Sequence, residues 1–147
     1  MNIHDCVRAF HEAMGQPVVT TPSVPSDERV RLRASLVCEE FIETMRSLFD
    51  ERFLIDEAEL LLKQAIATYD VNVDLPELAD GLCDLDYVVE GTRLEFGIPG
   101  DAVLEEVQRS NATKFGAPVR ADGKILKGPN YSPPDIARVL ARHGAKL

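Results

Sequence analysis

The stretch Asp74-Leu75-Pro76-Glu77-Leu78-Ala79-Asp80-Gly81-Leu82-Cys83-Asp84-Leu85 decides the fold. Asp74 is a good N-cap, proline is tolerated in a first helical turn, and Glu77 falls at the capping-box position, so a helix starts here. It runs to about Phe96, where Gly97-Ile98-Pro99-Gly100 stops it. Around that helix Glu77, Asp80 and Asp84 share a stripe about 60° wide, joined further along by Gly91 and Glu95. Leu78, Leu82, Leu85, Val89 and Phe96 flank the stripe on one side, and Cys83, Tyr87 and Leu94 on the other. Asp86, Glu90 and Arg93 form a separate polar stripe. A helix lying on a surface needs only one polar face. This one has two, and the acidic one lies between apolar flanks, which predicts carboxylates turned into a bundle of helices.

The rest of the chain reads as helix and loop. Ile3, Val7, Phe10 and Met14 recur at helical spacing, predicting an amphipathic helix over 2–14 that ends at Gly15. Residues 16–26 are rich in proline, threonine and serine and form a loop. Ser26 or Asp27 caps a second helix to about residue 51, and 54–69 form a third around Leu60, Leu61 and Ile66. Beyond the fourth helix, Asp101 opens a fifth that ends near Lys114, with Val103, Leu104 and Val107 facing inward. Residues 116–134 are loop, and a short helix surrounds Ile136, Val139 and Leu140. No useful alternating strand pattern and no repeat appear. The predicted class is all-α, a four-helix-bundle core with an N-terminal helix and a loop-rich C-terminal tail.

A second acidic cluster, Glu39-Glu40-Phe41-Ile42-Glu43, lies on the second helix. Its three glutamates fall within an arc of about 100° and continue a row begun by Leu32 and Leu36, while Val37, Phe41, Met45 and Leu48 line another face. A solvated acidic face is the plain alternative for this cluster, and the capping box alone accounts for Glu77. Asp80 and Asp84 are harder to dismiss, because buried carboxylates need partners or metals. Arg33 and Arg46 are the cations best placed to pair with one or two of the acids. Packed together, the two clusters would repel unless cations intervened. Oxygen ligands with no histidine or cysteine among them select Mg²⁺ or Mn²⁺ over Zn²⁺. Such ions beside a triphosphate neutralise it, orient it and make an attacking water more acidic.

These motifs resemble those of the MazG-like all-α nucleoside triphosphate pyrophosphohydrolases, whose relatives include phosphoribosyl-ATP pyrophosphohydrolases, dimeric dUTPases and dCTP pyrophosphatases. The signature is Glu-x-x-Glu on one helix and Glu-x-x-Asp on a later one, here Glu40-Phe41-Ile42-Glu43 and Glu77-Leu78-Ala79-Asp80. The likeness covers about residues 30–114 and implies one MazG-like domain over 1–147, with its core at about 27–115 and a tail at 116–147. By the resemblance, Glu40, Glu43, Glu77 and Asp80 are magnesium ligands, with Mn²⁺ as a substitute. Glu39 and Glu40 are the catalytic candidates, Glu39 as a further ligand or as the base that takes a proton from water. Asp84 is a further ligand, a supporting acid or simply a surface acid. Ser110-Asn111-Ala112-Thr113-Lys114 is similar to the family's Asn-x-x-Lys, which implies that Asn111 meets sugar or phosphate and Lys114 meets phosphate. A lysine in a last helical turn is also a routine partner of the helix dipole. Asp122-Gly123-Lys124-Ile125-Leu126-Lys127-Gly128-Pro129-Asn130-Tyr131 looks like the tail of phage and bacterial members. Lys124, Lys127 and Tyr131 either close over phosphates or pack on a neighbouring subunit.

The resemblance implies a Mg²⁺-dependent hydrolase releasing nucleoside monophosphate and pyrophosphate. A substrate such as dUTP or dCTP and a role in nucleotide-pool sanitation are expected, in a homodimer or homotetramer. Phosphoribosyl-ATP pyrophosphohydrolase of histidine biosynthesis is the second reading, less suited because the long tail and the third helix exceed that compact pattern. A helical scaffold without enzymatic activity is the third. Charge narrows the partners: a formal −9 with no Lys/Arg block repels a nucleic-acid polymer. No run approaches the length of a membrane span and no signal-peptide layout appears. Cys6, Cys38 and Cys83 lack metal-ligand spacing and read as reduced core residues of a cytoplasmic protein.

Overall fold

The computed structural model describes residues 2–146. Among them lie six helices: α1 (Ile3–Ala13), α2 (Asp27–Leu48), α3 (Phe53–Thr68), α4 (Leu75–Phe96), α5 (Gly100–Ala112) and α6 (Ile136–Arg142). The class is all-α, as the periodicity predicts. Among the described residues there is no strand, only an isolated bridge between Val119 and Ile125. The helix ends follow local chemistry. Asn2 caps α1 by accepting from the Asp5 amide at 2.9 Å. Gly97, at φ +63°, ends α4, and the Ile98 amide reaches back to the Arg93 carbonyl at 2.9 Å. The second helix stops at Leu48, short of the predicted residue 51, because Phe49 turns extended (φ −132°, ψ 140°).

Two compact units divide the chain, one of residues Ser23–Leu75 and one of the residues up to Pro22 with those from Pro76 onward. In the first, α2 and α3 form an antiparallel hairpin. Arg46, late in α2, bonds Asp56 and Glu59 at the start of α3. Arg31, early in α2, donates to the carbonyl oxygens of Ile66 and Tyr69 at the other end of α3. A guanidinium there satisfies carbonyls that a helix end leaves without partners. Leu32, Cys38 and Ile42 are buried, Ile42 to 1% exposure. That burial contributes about 1.5–3 kcal/mol.

In the second unit α1 and α6 both pack on α5. Cys6 and Val139 are buried there, the Phe10 and Phe115 rings lie 6.1 Å apart, and the Gln108 amide donates to the Cys6 carbonyl. α4 departs from expectation: none of its residues is buried. Leu78 and Leu82 on one predicted flank are about half exposed, at 47% and 46%, and Tyr87 on the other reaches 82%. Cys83 is exposed rather than in a core, whereas Cys6 and Cys38 are buried as expected. On α2, Val37, Phe41 and Leu48 are exposed too, because the buried face is the one carrying Leu32, Cys38 and Ile42. In both cases the apolar stripe is real, but the chain buries another face or none.

Candidate active site

On α2, Glu39 is half-buried and Glu40 and Glu43 are exposed, one helical turn around the buried Ile42. The helix seats Ile42 against its neighbours, and the 3.6-residue period then turns the flanking acids outward. Arg46, a natural partner for these acids, is committed elsewhere. Its guanidinium donates to Asp56 Oδ1 at 2.6 Å and to Glu59 Oε2 at 2.6 Å. Lys63, at 2.7 Å, also holds Glu59. Lys63 and Arg46 together keep the Glu59 carboxyl below its usual range. Glu59 first, and Glu39 to a lesser degree, raise the Lys63 ammonium above its usual range.

On α4, Glu77, Asp80 and Asp84 are all exposed. Among the described residues, no hydrogen bond or ion pair engages the carboxylates of Glu40, Glu43, Asp80 or Asp84. Some of the chain's other acids are engaged. Asp56, Glu59, Glu90, Glu106 and Asp122 each hold an arginine. Within either unit by itself, the described residues gather no three His, Cys, Asp or Glu closely enough to hold a metal ion. The donor chemistry nonetheless suits a hard cation, since every candidate ligand is a carboxylate oxygen.

Lys114 lies just past the end of α5, after Ala112 and the cap residue Thr113. Its ammonium stands 5.7 Å from the centre of the Tyr131 ring, and that of Lys127 stands 4.9 Å from the same ring. The structure thus brings Lys114, Lys127 and Tyr131 together. Asn111 is half-buried, and its carbonyl accepts from the Lys114 amide at 3.0 Å. Lys124 serves the tail loop through its backbone, donating to Asp122 Oδ1 at 3.1 Å and accepting from the Arg120 amide at 2.8 Å. The Arg120 guanidinium first, then the Lys124 amide, lower the Asp122 carboxyl to about 2.

A residue that sequence reasoning passed over seats the tail. Glu106, 7% exposed, accepts from Arg109 Nη2 at 2.8 Å and from the Asp135 amide at 2.8 Å. Arg109 also donates to the Pro133 carbonyl at 2.9 Å, and Ser110 Oγ donates to the Ser132 carbonyl at 2.8 Å. The signal was available: Glu106 and Ser110 follow Val103 by three and seven residues, on the face read as inward. Arg109 first, then the Asp135 amide, lower the Glu106 carboxyl from 4.5 to about 2. A lowered folded value stabilises the fold above pH 4.5, and that contribution is lost as the pH falls toward 2. Glu106→Gln is therefore expected to lower the Tm by several degrees at pH 7. The gap to the parent should narrow steadily on acidification below about pH 4.5, as followed by circular dichroism melts. A gap independent of pH would mean that the carboxylate charge is not what holds the tail.

The fold is that of the all-α nucleotide pyrophosphohydrolases, hydrolases acting on a phosphoanhydride bond. The chain belongs to the phosphoribosyl-ATP pyrophosphohydrolase family, whose sequence profile matches residues 7–111. That match spans both acidic motifs and ends within α5, so Lys114 and the tail lie beyond it. The fold is similar to the crystal structure of a candidate NTP pyrophosphohydrolase from Exiguobacterium sp. 255-15. The TM-score is 0.72 at 20% identity, covering 97% of this chain and 96% of that one. No curated protein sequence matches the chain significantly. Family membership sets the scaffold reading aside. No described helix is long and apolar enough to cross a membrane.

Proposed function

We propose that the chain is a Mg²⁺-dependent nucleoside triphosphate pyrophosphohydrolase, cleaving a (deoxy)nucleotide such as dUTP or dCTP to monophosphate and pyrophosphate in nucleotide-pool sanitation. The observation that carries this reading is the set of acids left without cations. Glu40, Glu43, Asp80 and Asp84 keep their carboxylates available, at positions that resemble the family's motifs, in a chain whose profile match is to a pyrophosphohydrolase family. Glu40, Glu43, Glu77 and Asp80 would hold the Mg²⁺, with Mn²⁺ as substitute and Asp84 in reserve. When bound, the ion neutralises phosphate charge and lowers the pKa of water. Glu39 takes the proton of the attacking water or adds a ligand, and Glu40 stands beside it. Asn111 meets sugar or phosphate, and Lys114, Lys124 and Lys127 meet the phosphates, with the Tyr131 ring beside Lys114 and Lys127. The bond between the first and second phosphates breaks, and pyrophosphate carries away the charge of the leaving oxygen.

The exposed apolar flanks of α4 support assembly into a homodimer or homotetramer, because so much uncovered apolar surface on one helix is a liability for a lone chain. Three free cysteines suit a cytoplasmic setting. Phosphoribosyl-ATP is the second reading for the substrate, favoured by the profile match. Both readings break the same kind of bond, so one experiment separates them. A panel of dUTP, dCTP, the common triphosphates and phosphoribosyl-ATP is assayed for pyrophosphate with Mg²⁺ present. Preference for a pyrimidine deoxynucleotide is expected. Turnover of phosphoribosyl-ATP alone would replace the first reading with the second, and pyrophosphate from none of them would remove both.

A further inference from the structure

We propose that Tyr131 is a positioning residue, its ring gathering Lys114 and Lys127 into a twin-cation subsite for the pyrophosphate end of the substrate and for pyrophosphate as product. The proposal rests on the pyrophosphohydrolase reading above and assigns one part of it to the tail.

Two ammonium groups repel each other, so their convergence needs a cause. The ring supplies it. Both lie within the distance at which an aromatic face attracts a cation, 5.7 Å for Lys114 and 4.9 Å for Lys127. The backbone fixes the ring in turn. The Ser132 amide, next to Tyr131, donates to Thr113 Oγ1 at 2.9 Å, next to Lys114. A turn closes on the other side, where the Tyr131 amide donates to the Gly128 carbonyl at 3.1 Å, next to Lys127. Gly128 packs closely: a Cβ there would stand 3.2 Å from Ala117 Cβ, tighter than ordinary contact. Each of the three side chains is thus anchored by the residue beside it.

The charge is unspent. Among the described residues, no carboxylate lies within ion-pair distance of either ammonium. In a chain of formal charge −9, an anion is drawn only where cations are concentrated locally. Two lysines on one ring suit a ligand with two adjacent anionic groups better than a single carboxylate or phosphate.

The test is calorimetric titration of inorganic pyrophosphate with Mg²⁺ into the full chain, which needs no turnover. Tyr131→Leu is expected to weaken binding on the order of tenfold, and Tyr131→Phe, which keeps the ring face, should restore it. Lys127→Gln, at an exposed side chain, should weaken it similarly and decides the matter if Tyr131→Leu loses its helical signal. Nucleoside monophosphate binding should not move in any of them. Failure of the parent to bind pyrophosphate, a Leu variant that binds as tightly as the parent, or a Phe variant as weak as Leu would each overturn the proposal. Unaltered pyrophosphate binding in Tyr131→Leu alongside normal triphosphate turnover would remove this role alone. The expected binding pattern without turnover would remove the substrate reading alone.

Discussion

Asp80→Asn and Glu43→Gln are each expected to abolish pyrophosphate release, with kcat lower by about 10²–10³-fold or more, while the helical circular dichroism stays as it was. The two halves of that result come from the same feature. Both side chains are exposed, and no hydrogen bond or ion pair engages either carboxylate, so the amide removes no structural partner. The substitutions are close to isosteric and remove a negative charge from a chain at −9. Relief of repulsion should leave Tm unchanged or slightly higher. Loss of activity without loss of stability is what separates a functional acid from a solvated one. Steady-state assays for pyrophosphate and parallel melts measure both. Retained turnover in both variants would return the acidic motifs to the status of surface charge.

Chelation is expected to silence the enzyme as completely. After treatment with EDTA and removal of the chelate, turnover should be undetectable, and Mg²⁺ or Mn²⁺ should restore it while Zn²⁺ does so poorly. The reason is the donor set: Glu40, Glu43, Glu77 and Asp80 offer only hard carboxylate oxygen, without the nitrogen or sulfur that Zn²⁺ favours. A thermal-shift experiment gives an independent measure. Mg²⁺ with a non-hydrolysable triphosphate should raise the Tm by more than either alone, because each binds the folded state and each neutralises charge on the other. Full activity in metal-free buffer would leave the carboxylates without their proposed task.

Glu106 illustrates where one-dimensional reading stops. Its spacing from Val103 marks it as inward, yet nothing local says that its partners are Arg109 and an amide twenty-nine residues later, at Asp135. Arg46 makes the same point from the other side. It is well placed in sequence to neutralise the acids of its own helix, and the hairpin instead gives it to Asp56 and Glu59 on α3.

Periodicity, caps and stop signals are local, and they determined the helices, most of their ends and the positions of the two acidic motifs. They also placed Lys114, Lys127 and Tyr131 among the candidates without saying that they meet. Which stripe of each helix is buried, which cation each carboxylate receives, and that two lysines share one aromatic ring were decided by tertiary structure. Those outcomes depend on free energies between segments distant in the chain: a helix with apolar residues on two sides carries no local instruction about which side will be covered.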